Sequence, residues 1–115
     1  LAEARPAALQ FEPMPADSAG QIDLDAMLRR LAALECNEVL VEAGPRLAGS
    51  FLAAGLADEI VLYIAPTILG DTAQPAFALP RPLRALSERP QYSYHDVRQV
   101  GADLRLTLRP VETRS

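Results

Sequence analysis

The stretch from Asn37 to Phe51 constrains the fold more than any other part of the chain. Val39, Leu40 and Val41 form a continuous apolar run, the pattern of a parallel strand covered on both faces. Glu42 stands where that run stops. Gly44 permits a sharp turn and a close approach of another group to the backbone. Pro45 suits the first helical position, where a backbone N–H has no intrahelical partner in any case. Open α/β sheets bind ligands just beyond the carboxyl ends of their strands, so a ligand site is sought first at this corner.

The flanking pattern extends this reading. Leu24, Met27, Leu28, Leu31 and Leu34 follow helical spacing, with Asp23 as N-cap and Asp25 in the first turn. They predict a helix from Leu24 to Glu35, ended by Asn37. A second helix is expected from Pro45 to Ala54, closed by Gly55. Ala57 to Ala65 is apolar and rich in β-formers, which predicts a central strand. Helix, strand, helix and strand in alternation predict an α/β fold with a parallel component. A short strand is also expected at Ala8 to Glu12.

Pro75, Pro80, Pro82 and Pro90 break up the stretch from Thr67 to Pro90. A long irregular segment in a compact domain is often functional or part of an interface. Beyond it, Tyr92 to Gln99 and Leu104 to Arg109 read as an antiparallel hairpin turning through Val100 to Asp103. Leu104, Leu106 and Leu108 alternate with Arg105, Thr107 and Arg109, the period of a half-buried strand. Val111 to Ser115 reads as a loose tail.

With 115 residues, one domain is the natural expectation. A net charge of -4 without basic clusters argues against nonspecific nucleic-acid binding. Cys36 and His95 are the sole cysteine and histidine, which argues against a zinc site and excludes an internal disulfide. No apolar run approaches the ~20 residues of a membrane span. These features lead us to expect a cytoplasmic protein. The chain starts at Leu1 rather than Met, and its opening residues hold no helix start, so it reads as a piece of a longer polypeptide.

Each candidate for chemistry has a plainer alternative. A helix N-terminus presents unpaired N–H groups and a partial positive charge, so the turn before Pro45 could hold a phosphate, with Arg46 and Ser50 as added donors. Alternatively, Gly44 serves only the turn. Glu42 could accept hydrogen bonds from sugar hydroxyls, or it could be a solvated strand end. Asp58 and Glu59 read as a solvated strand entry able to pair with an arginine. His95 lacks a recognisable serine-and-acid partnership. Cys36, at a helix end with no adjacent base or cation to activate it, reads as a small, partly buried residue rather than a nucleophile.

Val39 to Phe51 resembles the Glu-x-Gly-Pro-x-Leu signature of the riboflavin-biosynthesis reductase family. Gly55 to Pro66, Leu69-Gly70 and Asp103 to Leu108 continue the resemblance, which covers most of the chain from Ile22 to Arg109. The whole chain, 1–115, is similar to the C-terminal part of the reductase domain of a RibD-type bifunctional deaminase–reductase. The resemblance implies a partial dihydrofolate reductase-like fold: a mixed, mostly parallel sheet with flanking helices and the C-terminal antiparallel hairpin. It implies NADPH-dependent reduction of the ribosyl group of 5-amino-6-(5-phosphoribosylamino)uracil to a ribityl group, by hydride transfer to C1′. It makes Glu42 a contact to that phosphorylated pyrimidine substrate. It makes Gly44, Pro45, Arg46, Leu47, Ala48, Gly49 and Ser50 the cofactor-binding turn, and it assigns no catalytic residue.

The chain departs from the family pattern at two positions. Ala43 stands where a second glycine is common, and Arg46 where a small hydroxyl residue is common. The resemblance further implies a homodimer and, because the first half of the domain and any deaminase domain are absent, a half-site without reductase activity of its own. The competing expectations are a non-catalytic α/β nucleotide-binding or assembly module and a dihydrofolate reductase-like enzyme with another substrate.

Overall fold

The computed structural model describes residues 8–112, which fall into two compact units divided between Val39 and Leu40. The first unit is built around helix α1, Leu24–Ala33. The Asp23 side chain accepts from the Ala26 N–H at 3.0 Å, as a capping aspartate should. Asp25 pairs with Arg29 one turn on at 2.7 Å, and Glu12 pairs with Arg30. Before the helix, Asp17 closes a tight loop by accepting from the N–H groups of Ala19 and Gln21. An isolated bridge between Ala16 and Ile22 frames that loop.

Two local expectations fail in this unit. Residues 8–12 form no strand, and Leu9 and Phe11 are exposed, because no strand among the described residues pairs with them. The helix ends earlier than expected, through Glu35 at φ 64 rather than at Asn37. Glu35 donates to the Ala32 carbonyl and Cys36 to the Leu31 carbonyl, the paired bonds that end many helices after a left-handed residue.

The second unit holds helix α2, Pro45–Ala53, and strands β1, Ile60–Ile64, β2, Tyr92–Val100, and β3, Asp103–Pro110. Gly55, at φ 67, ends α2 with the same paired bonds, Gly55 to Leu52 and Leu56 to Phe51. The three strands form one sheet in the order β1-β3-β2. β2 and β3 make the expected hairpin. Gly101 provides the positive φ that a two-residue turn needs at its first central position. β1 pairs antiparallel with β3, from Ile60 opposite Leu108 to Ile64 opposite Leu104.

The sheet among the described residues is therefore antiparallel, and the expected parallel component is absent from it. The Val39–Val41 run forms no ladder there, and Leu40 is 83% exposed. A parallel pair needs both strands bonded into one sheet, and only β1 is. The alternation in β3 also misled. Adjacent Leu106 and Thr107, whose side chains point to opposite faces, are both buried, at 9% and 4% exposure. Among the described residues, Phe51 of α2 is the other buried apolar side chain.

Val61, Tyr63, Tyr94 and Val97 leave much apolar surface open on the sheet. Among the described residues no helix is long and apolar enough to cross a membrane. The expected tail lies outside the described residues from position 113 onward, as do residues 1–7.

Candidate functional site

The candidate site is built on the first turn of α2. Gly44 is the N-cap in extended geometry, φ -65 and ψ 172, with Pro45 at the first helical position. No side chain caps this end. The first intrahelical bond runs from the Ala48 N–H to the Gly44 carbonyl at 3.2 Å. The N–H groups of Arg46 and Leu47 therefore have no acceptor within the helix and point out of its positive end. No acidic residue occupies the first turn, so nothing there competes with an incoming anion.

The structure divides the sequence-predicted residues into two sets. Glu42, Ala43, Gly44, Arg46 and Leu47 are exposed, and a Cβ built on Gly44 meets nothing within 4 Å. Arg46 and Glu42 make no ion pair among the described residues. Arg46 is thus available to an external anion, and Glu42 to an external donor. The second set faces the protein. Gly49 is buried, and a Cβ there would overlap the carbonyl of Ala78. The Ser50 hydroxyl donates to the Arg46 carbonyl at 3.0 Å, which commits its proton inside the helix. Ala48 and Pro45 are half-buried, and the Pro45 carbonyl accepts the Ala78 N–H at 2.9 Å.

The other candidates lie away from this turn in sequence. Glu59 pairs with Arg109 of β3 at 3.0 Å. His95 is exposed at a bulge in β2, where the register slips between Tyr94 and Asp96. Cys36 is exposed just past α1, where partial burial was expected, because the left-handed turn at Glu35 carries the chain out of the helix there. An open hollow of about 280 Å³ lies beside the C-terminal end of α2, against Leu52, Gly55, Tyr92 and Pro110, and burial pushes the Tyr92 phenol up. It includes none of Gly44 to Ser50. Sequence reasoning missed Ala78. Its only signal was the irregularity of the proline-rich segment around it.

Comparison with known proteins bears on the same turn. The model of the RibD C-terminal domain family matches residues 3–106. The riboflavin biosynthesis protein RibD of Escherichia coli (strain K12) is 43% identical over 89 residues, 77% of this chain and 24% of that protein. A 5-amino-6-(5-phosphoribosylamino)uracil reductase of Buchnera aphidicola subsp. Acyrthosiphon pisum is 37% identical over 90 residues, 78% of this chain and 43% of that protein. A solved structure of Acinetobacter baumannii RibD, form 2, superposes with a TM-score of 0.72 at 34% identity, over 79% of this chain and 26% of that one. The chain spans about a quarter of the length of the RibD relatives it matches.

Proposed function

Because the chain belongs to the RibD C-terminal domain family, we propose that it forms one wall of an NADPH-dependent reductase site. The substrate is 5-amino-6-(5-phosphoribosylamino)uracil, whose ribosyl group is reduced to ribityl. In this reading residues 1–115 are the C-terminal portion of a single reductase domain of a cytoplasmic, homodimeric enzyme. The complete domain has a dihydrofolate reductase-like, mixed sheet in which the Val39–Val41 run finds its partners. The likeness to a solved RibD chain supports that fold.

The observation that carries the reading is the open, uncapped N-terminus of α2 beneath Gly44. It fits a dinucleotide pyrophosphate. The free N–H groups of Arg46 and Leu47 can donate to its oxygens, the bare Gly44 backbone lets them approach, and the exposed Arg46 guanidinium offsets their charge. NADPH supplies the hydride that reduces C1′ of the opened ribose. The protein's part is to align donor and acceptor and keep water out. Glu42, exposed at the end of the extended run, accepts hydrogen bonds from the substrate's hydroxyls and orients the sugar.

The test is Gly44→Val in the complete parent protein. At φ -65 with open space above it, a side chain at this position meets no steric strain, so only the modest cost of losing a favoured N-cap residue should lower the melting temperature, by a few degrees. NADPH affinity should fall roughly tenfold or more, since the side chain occupies the approach to the N–H groups. Lost stability with unchanged NADPH affinity would instead mark the turn as a purely structural element of an assembly module.

A further inference from the structure

We infer that Phe77-Ala78-Leu79 is a strap that sets the position of the α2 N-terminus, and that Gly49 is a positioning residue for the cofactor turn through its contact with that strap. Residues 67–90 are exposed along their whole length except at these three positions, which are half-buried. The strap is held by its backbone. The Ala78 N–H donates to the Pro45 carbonyl at 2.9 Å, inside the first turn of α2. One helical turn on, Gly49 presents its bare Cα to the same residue, and any Cβ there would overlap the Ala78 carbonyl.

Both contacts require backbone to approach backbone, which only a residue without a side chain allows at position 49. Pro45 lies between Gly44 and Arg46, so a strap anchored on its carbonyl acts on the residues that offer N–H groups to an anion. Gly49 then serves the site from inside the protein. It does not touch the ligand. The cofactor part of this inference rests on the reading proposed above.

Amide exchange and NADP+ titration, both followed by NMR on the full chain, test it. In the wild-type chain the Ala78 amide should be protected, and NADP+ should shift the Arg46 and Leu47 amides. Gly49→Ala should speed Ala78 exchange at least tenfold, move the Arg46 and Leu47 resonances without ligand, and weaken the NADP+ response roughly tenfold. Ala78→Pro, which removes the N–H while leaving α2 unaltered, should likewise move the Arg46 and Leu47 resonances and weaken the NADP+ response, and Ala78→Gly, which keeps the N–H, should not.

Gly55→Ala is the control, because it destabilises the same helix at its other end. It should leave the NADP+ response unchanged. An equal loss in Gly55→Ala and Gly49→Ala would reduce the strap to ordinary stabilisation and overturn the inference. Unaltered Ala78 exchange in Gly49→Ala would also overturn it. A wild-type chain whose Arg46 and Leu47 amides ignore NADP+ would sink the cofactor reading alone, with exchange and ligand-free shifts still deciding the strap.

Discussion

Cys36 donates its backbone N–H to the Leu31 carbonyl at 3.0 Å, and the chain reaches that bond by turning Glu35 to φ 64. Gly55 performs the same turn after α2 at φ 67, bringing Leu56 to Phe51 at 3.0 Å. A side chain in the left-handed region costs about 1–2 kcal/mol, which glycine avoids at the cost of a more flexible unfolded chain. Glu35→Gly should therefore stabilise the chain by about 0.5–1 kcal/mol, and Gly55→Ala should destabilise it by about 1 kcal/mol. Urea unfolding monitored by circular dichroism measures both. A loss of stability in Glu35→Gly would mean that the glutamate side chain itself holds the helix end.

The Arg98 side chain hydrogen-bonds Asp96 at 2.6 Å on β2, and this bond holds the Asp96 carboxyl below its ordinary range, against the opposing effect of desolvation. Arg105 and His95 act in the same direction more weakly. A carboxyl depressed in the folded state contributes stability above its unfolded pKa and loses it as pH falls through the folded one. Arg98 is exposed and Asp96 only half-buried, so the effect on stability is small and the titration itself is the sensitive readout. Carboxyl-carbon NMR should show Asp96 titrating below an unstructured aspartate, and Arg98→Gln should return it toward the ordinary value. An Asp96 midpoint that ignores Arg98→Gln would refute the assignment.

Local signals were legible where one residue acts through its own neighbours. Asp23 caps α1, Pro45 and Gly55 bracket α2, and Gly101 turns the hairpin, all as sequence chemistry requires. Pairing direction was not legible. The unbroken apolar run of β1 describes its two faces and says nothing about which way the adjacent strand runs, so its antiparallel partner β3 went unforeseen. Thr107 reads as a solvent-facing position by alternation, yet it is buried beside Leu106. The turn before α2 was legible as a Gly-Pro helix start. Its division into an open face and a face held by Ala78 depends on a backbone contact between residues far apart in sequence, which no local pattern records.

Phe51 is the most buried apolar side chain among the described residues, at 5% exposure. Its carbonyl also accepts the Leu56 N–H that ends α2. So little core surrounds it that few neighbours can move in to fill a void. Phe51→Ala should cost about 3–5 kcal/mol, the usual range for a buried phenylalanine. In so small a core that loss is a large share of the whole stability. Thermal melts should show a large drop or a chain already unfolded at 25 °C. A melting temperature within a few degrees of wild type would mean the ring contributes little to the core.

Arg105 of β3 stands directly opposite Arg98 of β2, with Tyr63 of β1 on its other side. Like charges facing across an antiparallel pair destabilise it. The two arginines are not equivalent, because Arg98 has Asp96 while the buried Arg105 Nε has no hydrogen-bond partner among the described residues. A buried unsatisfied donor costs about 1–3 kcal/mol. Arg105→Met keeps the apolar stem, removes the facing charge and removes the orphaned N–H. It should raise stability by about 1 kcal/mol. Arg98→Met relieves the same repulsion but strips Asp96 of its partner, so its net effect should be near zero. Urea denaturation of the two variants separates the effects. Equal gains would assign the penalty to repulsion alone, and a loss in Arg105→Met would show that its guanidinium finds an acceptor in solution.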